Sequence, residues 1–426
     1  MSMPPLPRTW ALVNANLIDG DAGGYAGHGG VLIEDGRITA SGPQVARESI
    51  GELVYVDVGQ RTVMPGLIDC HAHLTWNALA SPVATLIEER ASPVRLALRA
   101  AANARSALER GSTTVRDLGS PNEVIIPLRD AIRDGICRGP RIIAAGYVIT
   151  TPTGHCHYVG VHASHPAEAR AAVERQIGAG ADVIKVMTSG GLHTPGSDPT
   201  SPQFPLESLR TIVEVAHAAG RRVTGHATCD AAIQLALAAG FDSIQHGTNL
   251  EPPTATALAR RNIWITPTLD TRYFLDMRMD DPAVPEVIRT RAVAGAHTRS
   301  TAYQNALEAG VTVTAGTDSG TTFVPHGALA TEIRLMHAGG LSVRQALASA
   351  TGLAAAEVGL PGVIGTLAHG AYADLLVLNA DPLRDLSALE NIALVIQAGT
   401  PVAGSLDLDW DHRSVPGGAG RRHVTL

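Results

Sequence analysis

The sequence predicts an α/β protein, a (β/α)8 TIM barrel carrying a small composite β-sandwich built from both chain ends. Three observations point there. From about residue 63 to 361, alanine-rich helical stretches alternate with short β-favouring runs. The helices stop at Ala-Gly or a charged turn, as in "ALERG", "QIGAGAD", "AHAAGRR", "LALAAGFD" and "ALEAGVT". Several of the runs lead directly into a histidine or an aspartate. Helical periodicity, a glycine stop and a short apolar run mark alternating units, and eight parallel strands with crossover helices close into a barrel.

In chain order the strands are read around Val63–Asp69, Thr113–Arg116, Ile142–Ala144, Val183–Val186, Val223–Gly225, Ser243–Gln245, Trp264–Thr266 and Thr312–Ala315. An open doubly wound sheet is the rival, but no G-x-G-x-x-G follows any of them. The flanks read differently. "TWALVNANLIDG", "GGVLIEDGRITASG" and "ELVYVDVGQRTVMPG" alternate and break at Asp-Gly or Gly-Gly, which is hairpin patterning. "GTLAHGAYADLLVLNADP" and "NIALVIQAGTPV" repeat it near the other end. Residues 1–62 and 362–426 are therefore assigned to the sandwich and 63–361 to the barrel. The tail "DHRSVPGGAGRRHVTL" is polar and Gly-rich and reads as partly mobile.

Among 426 residues, 33 basic and 40 acidic side chains give 33 − 40 = −7, so no basic surplus exists to neutralise a phosphate backbone. Nucleic-acid binding is excluded as the main activity. No run of 18 apolar residues occurs, and the opening segment lacks a basic start followed by an apolar stretch. Neither membrane span nor secretory signal is expected. Cys70, Cys137, Cys156 and Cys229 show no C-x-x-C spacing, which fits a reducing cytoplasm.

The chemistry gathers at the strand ends. The first strand runs into His71-Ala72-His73, the fourth carries Lys185, the fifth ends at His226, the sixth at His246 and the eighth at Asp318. In a barrel these ends converge on one mouth, where active sites of this architecture lie. Period-two alternation sets His71 and His73 on one side of their strand. A lone strand histidine is ordinarily a hydrogen-bonded core residue, and "GTDSG" alone reads as a turn. Five strands ending in ligand-type residues instead describe a site for zinc or a similar divalent ion.

Of the 33 basic residues, Lys185 is the only lysine. It sits in "ADVIKVM", a stretch otherwise fit for burial. The ordinary alternative is a snorkelling side chain with its ammonium in solvent. Buried beside metal ions, its pKa falls, and the neutral amine reacts with carbon dioxide to give an anionic carbamate able to bridge two metals. Arginine, always protonated, is barred from that chemistry.

"MPGLIDCHAHL", "ADVIKVMTSGG", "VTGHAT", "SIQHGT" and "TAGTDSG", in that order, resemble the amidohydrolase superfamily, and within it the prolidase-like and imidazolonepropionase-related branch with a carboxylated lysine. The resemblance spans nearly the whole chain. It implies a two-metal centre in which His71 and His73 hold the more buried ion with Asp318, His226 and His246 hold the second, and carboxylated Lys185 bridges both. The single-metal deaminases of the superfamily lack that lysine.

The remaining site residues carry weaker signals. "TTPTGHCHYVG" resembles the family's Gly-Gly-His loop with Thr153 in place of the first glycine, and it offers His155, His157 and Tyr158 to a substrate. "PTLDTRYF" offers Arg272 and Tyr273. His326 or Glu332, in "VPHGALATEI", is placed to order the mouth, and Arg116–Asp117 reads as structural. The sequence thus reads as a cytoplasmic, homo-oligomeric metallohydrolase with two divalent ions, zinc first, acting on a small molecule. It cleaves the amide of a dipeptide or an N-acyl amino acid, with Asp318 as general base and acid and His246 as second candidate for the proton. The basic mouth favours a substrate with an anionic end. Hydrolysis of a cyclic amide, carbamate, urea or imidazolone-type ring is the alternative, and a non-catalytic barrel, which would have lost ligands, is the remote one.

Overall fold

The computed structural model describes residues 6–20, 25–46, 49, 53–294 and 296–405. The tail at 411–426, read above as partly mobile, lies outside them. The chain divides into two compact units, one of Met1–Ile68, Ser106–Thr114 and Ser342–Leu426, the other of Asp69–Arg105 and Val115–Leu341.

The first unit is organised on an eight-stranded sheet drawn from both ends of the chain. Its order is Thr400–Gly404, Ile392–Gln397, Leu375–Leu378, Thr62–Pro65, Thr9–Ile18, Tyr25–Glu34 and Arg37–Gly42, with Val54–Asp57 paired parallel to Thr9–Ile18. The Asp-Gly of "IEDGRIT" is a two-residue hairpin, since Glu34 pairs with Arg37. Alternation sorts the side chains of Thr9–Ile18. Trp10 and Leu12 enter one apolar cluster with Val31, Ile33 and Val377, whereas Ala11 and Val13 enter another with Val45. A register shift at Asn14, whose φ is +58°, resets the phase, so Ala15 and Leu17 return to the cluster of Leu12.

The second unit holds a six-stranded, all-parallel sheet in the order Gly160–His162, Val148–Thr150, Val183–Met187, Arg222–Ala227, Ser243–His246 and Trp264–Thr266. Its crossover helices are amphipathic. Leu206–Ala218 buries Leu209, Ile212, Val213 and Ala216, one stripe at helical spacing. Pro166–Ala179 and Asp230–Ala239 end on Gly180 and Gly240 at φ of +94° and +90°, a left-handed cap that side chains resist. The Ala-Gly stops are therefore physical helix ends.

A further sheet of three strands comprises Leu67–Ala72, Ser112–Asp117 and Arg141–Ala144. Two expectations need correcting. The run expected as one strand at Val63–Asp69 is split at Gly66 between Thr62–Pro65 and Leu67–Ala72. Residues 312–315, expected as the eighth strand, form no strand, and among the described residues no sheet closes into a barrel. They make only isolated bridging contacts. Ile265 N–H donates to Thr312 O at 3.1 Å, Thr314 N–H to Ile265 O at 2.9 Å, and Cys70 N–H to Ala315 O at 3.0 Å. The Asp69 carboxylate interrupts the pairing by taking Thr317 N–H at 3.0 Å and its hydroxyl at 2.7 Å. Backbone bonds resume with Asp318 N–H to His71 O at 2.7 Å and His73 N–H to Ser319 O at 2.9 Å. Among the described residues, no helix is long and apolar enough to cross a membrane.

Candidate active site

His71 and His73 project from one side of their segment, with ring centroids 5.2 Å apart. His73 Nδ1–H donates to Gly119 O at 3.2 Å, which leaves Nε2 3.0 Å from Asp318 Oδ1. His71 Nε2 lies 3.4 Å from the same oxygen. The backbone behind them is fixed by buried carboxylates. Asp69 accepts from His71 N–H at 3.1 Å, and Asp117 accepts from Leu74 N–H at 2.7 Å and the Ser120 hydroxyl at 2.9 Å. Arg116 donates to Cys70 O at 2.7 Å, in keeping with its structural reading.

In the parallel sheet, Lys185 pairs with Thr224 and Met187 with His226, so Lys185 and His226 share a face. Lys185 is 1 % exposed, which rules out a snorkelling ammonium. Its Nζ lies 3.5 Å from His71 Nε2. His226 Nε2–H donates to Gly190 O at 3.1 Å and leaves Nδ1 for a ligand. His246 breaks the alternation. It follows Gln245, so an extended backbone would turn it away from His226, yet its φ of +70° brings its ring to 4.7 Å from His226 and 5.0 Å from His71. Asp318 is likewise left-handed, at φ +56°. Such backbone is costly outside glycine and is concentrated at functional sites.

One ligand atom from each of His71, His246 and Asp318 lies within 4.8 Å of the others. Burial above all, with an unmodified Lys185 ammonium adding to it, holds His226 neutral down to about pH 3 and pushes His71 well below the usual imidazole range. Burial and then His226 push His246 well below it too. Burial opposes the charge on Asp318, but the hydrogen bond and charge of His73 outweigh it and hold the carboxyl below its ordinary value. Neutral imidazoles at His71, His226 and His246 around an ionised Asp318 form a donor set for a divalent ion. The residues present fit one.

Two cavities meet here. An inner one of about 60 Å³ is lined by His71, His73, Lys185, His226, His246 and Asp318, among others. An outer one of about 250 Å³ is lined by Leu192, Leu275, Ala292, Arg272, Arg291 and Arg299, among others. Of the expected substrate contacts, His155 lies in the inner cavity, its ring 4.5 Å from His226 and its Nδ1 2.9 Å from Thr194 Oγ1. Arg272 lies in the outer cavity, bonded to Asp276 at 2.6 Å and to Ala292 O. His157, Tyr158 and Tyr273 line neither cavity. His157 donates to Gly154 O at 3.1 Å, the Tyr158 hydroxyl points to Cys156 Sγ at 3.6 Å, and Tyr273 packs edge-on against Phe274.

Sequence reasoning missed His193, Trp76, Arg291 and Arg299. His193 carried a signal, a polar residue soon after the fourth strand in "TSGGLHTPG". Gly191 lets that loop lie on the His155 ring, where a Cβ would come within 2.4 Å of Nε2. Arg299 carried none, because it lies inside the helix Ala296–Glu308. Glu332 orders the mouth from behind, accepting from Leu269 N–H at 3.0 Å and Asp270 N–H at 2.8 Å. His326 Nε2–H donates to Trp76 O at 3.1 Å.

A candidate histidine-aspartate metal site beside a buried lysine is the donor set a metal-dependent hydrolase requires. Residues 62–402 match the amidohydrolase family, and the chain belongs to it. Ochratoxinase of Aspergillus niger is 30% identical over 361 residues, covering 77% of this chain and 72% of that protein. A Xaa-Pro dipeptidase with methionine bound in its active site superposes with a TM-score of 0.83 at 28% identity, over 93% of this chain and 100% of that one. A prolidase complexed with N-methylphosphonate-L-proline gives 0.85 at 28% identity, over 92% and 99%.

Proposed function

We propose that this amidohydrolase cleaves the amide bond of a dipeptide or an N-acyl amino acid at a centre of two divalent ions, zinc first. His71, His73 and Asp318 would hold one ion and His226 and His246 the other, and Lys185, as its carbamate, would supply an anionic oxygen ligand to both. The observation that carries this reading is the placement of a buried Lys185 Nζ 3.5 Å from His71 Nε2, on the nitrogen that also faces Asp318. When bound, the ions supply a water acidic enough to ionise near neutral pH and polarise the amide carbonyl.

The chain's own residues do the rest. Asp318, held ionised beside His73, takes the proton of the attacking water and delivers it to the leaving nitrogen. His73, His226 and His246 keep one orientation through Gly119 O, Gly190 O and the Thr268 hydroxyl. His155 closes the inner cavity beside His226. The prolidase and dipeptidase likenesses support an amino acid as the released product. In this reading residues 63–361 are the barrel, 1–62 and 362–426 the composite β domain, and the enzyme is a cytoplasmic homo-oligomer.

A screen of dipeptides and N-acyl amino acids against metal-loaded protein tests it. Turnover that depends on metal and on Asp318 is the expected result. Turnover of cyclic amides, carbamates or ureas alone would move the assignment to those substrates.

A further inference from the structure

The inner and outer cavities share Leu192, His193, Thr228, Thr271, Arg299 and Thr321. That throat contains no carboxylate, and its two nitrogen-bearing side chains both have donors to spare. Arg299 Nη1 donates to Thr268 O at 3.1 Å and to the Thr271 hydroxyl. Among the described residues its Nε and Nη2 bond to nothing. His193 Nδ1 is sealed from solvent without a partner. A sealed lone pair costs less than a sealed N–H, so the ring proton belongs on Nε2, which turns His193 into a donor toward the throat. Burial pushes the imidazole down to about 4 despite the attraction of Asp318, so it is a neutral donor at physiological pH.

Resting on the amide-hydrolase reading, we propose that Arg299 and His193 form the receptor for the α-carboxylate of the amino acid released. Closeness to the reacting amide favours this pair over Arg272. In an N-acyl amino acid only three bonds, of about 1.33, 1.46 and 1.52 Å, separate the amide carbon from the carboxyl carbon. With the amide at Asp318 in the inner cavity, so short a link favours residues that line both cavities over those that line the outer one alone. Arg272 lies in the outer cavity only and is already engaged by Asp276. Arg291 is spent as well, donating to the carbonyls of Gly191, Leu192, Thr194 and Ser197. Those four bonds hold the loop that presents His193. Burial disfavours the Arg299 charge, and the carboxyls of Asp318 first, then Glu332 and Asp270, offset part of that cost. The outer cavity, walled by Leu192, Pro199, Leu275 and Ala292 and with its own cations engaged, then takes the uncharged side chain of the same residue.

Equilibrium binding of L-leucine and of L-leucinamide to metal-loaded protein tests the receptor without relying on turnover, because the two differ only at the carboxyl. Wild type is expected to prefer leucine by at least about tenfold, the scale of one charge-assisted hydrogen bond. Arg299→Met and His193→Ala should each bring the ratio toward one by weakening leucine alone, and His193→Gln should restore part of it. Arg272→Met should keep the ratio. Should Arg299→Met fail to fold, Arg299→Lys, which keeps the charge but loses the planar fork, is expected to lower the preference by several-fold. A preference that survives in both Arg299 variants, or that disappears in Arg272→Met, overturns the proposal. Preference for leucine without hydrolysis of any amide leaves the receptor standing and removes the hydrolase reading. Equal cleavage of acid and amide substrates removes the receptor and leaves the hydrolase.

Discussion

The Thr268 hydroxyl lies 2.8 Å from His246 Nδ1, and Thr268, like His246, has a left-handed backbone, at φ +50°. Two strained residues thus meet at one hydrogen bond, which frees His246 Nε2 for a ligand. Glu332 holds the same turn through the amides of Leu269 and Asp270. Losing an outer partner of a metal-bound histidine typically costs about 10–100-fold in metal affinity. Thr268→Ala should therefore weaken the second metal by that factor, and Thr268→Ser should restore it. Competition with a chromophoric chelator reads this, and equal affinities in wild type and Thr268→Ala would refute it.

Metal analysis of protein grown with added zinc should find close to two equivalents per chain. His226→Ala should lower the content by about one equivalent and abolish turnover, while the remaining ion stays with His71, His73 and Asp318. A wild-type chain with no tightly bound metal at neutral pH would contradict the ligand assignment.

Asp318→Asn should retain the fold and lose the proton carrier. General acid–base groups contribute roughly 10²–10⁴-fold, and here a ligand is lost as well, so the fall in kcat should reach the upper end. A variant keeping half the activity would move the proton to another group, His246 first.

The buried Glu332 carboxyl gives a stability test that needs no substrate. Burial raises it to about 7, against the pull of the amides of Leu269 and Asp270 and of Arg299, with Asp69 adding to the rise. Asp270, beside it, is raised by its own burial and by Glu332. A carboxyl raised in the folded state contributes stability that is present below its unfolded value, about 4.3, and lost as pH climbs through about 7. Glu332→Gln removes the share of that dependence due to Glu332, while the part that burial imposes on Asp270 stays. The urea midpoint of wild type relative to Glu332→Gln should decline between those pH values and level off above them. A constant difference across that range would contradict it.

The legibility of this chain follows from where each signal resides. His71, His73, Lys185, His226 and Asp318 drew attention in the sequence because each lies in or just after a short apolar run with local patterning of its own. The inward turn of His246 was visible only as a position, because its φ of +70° is set by the surrounding structure. The eighth strand was read from a short apolar run alone, and residues 312–315 make only scattered backbone bonds, to Ile265 and Cys70. Arg299 and Arg291 were silent because helix interiors rich in arginine look alike, and only the structure separates a cation facing the throat from one bonded to four carbonyls. His157, Tyr158 and Tyr273 sat in the right segments, but their own loops and neighbours engage them.

Lys185 decides the central claim. As the only lysine in 426 residues, it is the only side chain able to carry a lysine carbamate. Metal-loaded protein equilibrated with isotopically labelled carbon dioxide should show one carbamate signal in its carbon NMR spectrum. That signal should vanish in Lys185→Ala together with most of the metal, and short-chain carboxylic acids in solution should restore part of the variant's activity. An active, metal-loaded wild type without the signal, its Lys185 an unmodified amine, would contradict the account.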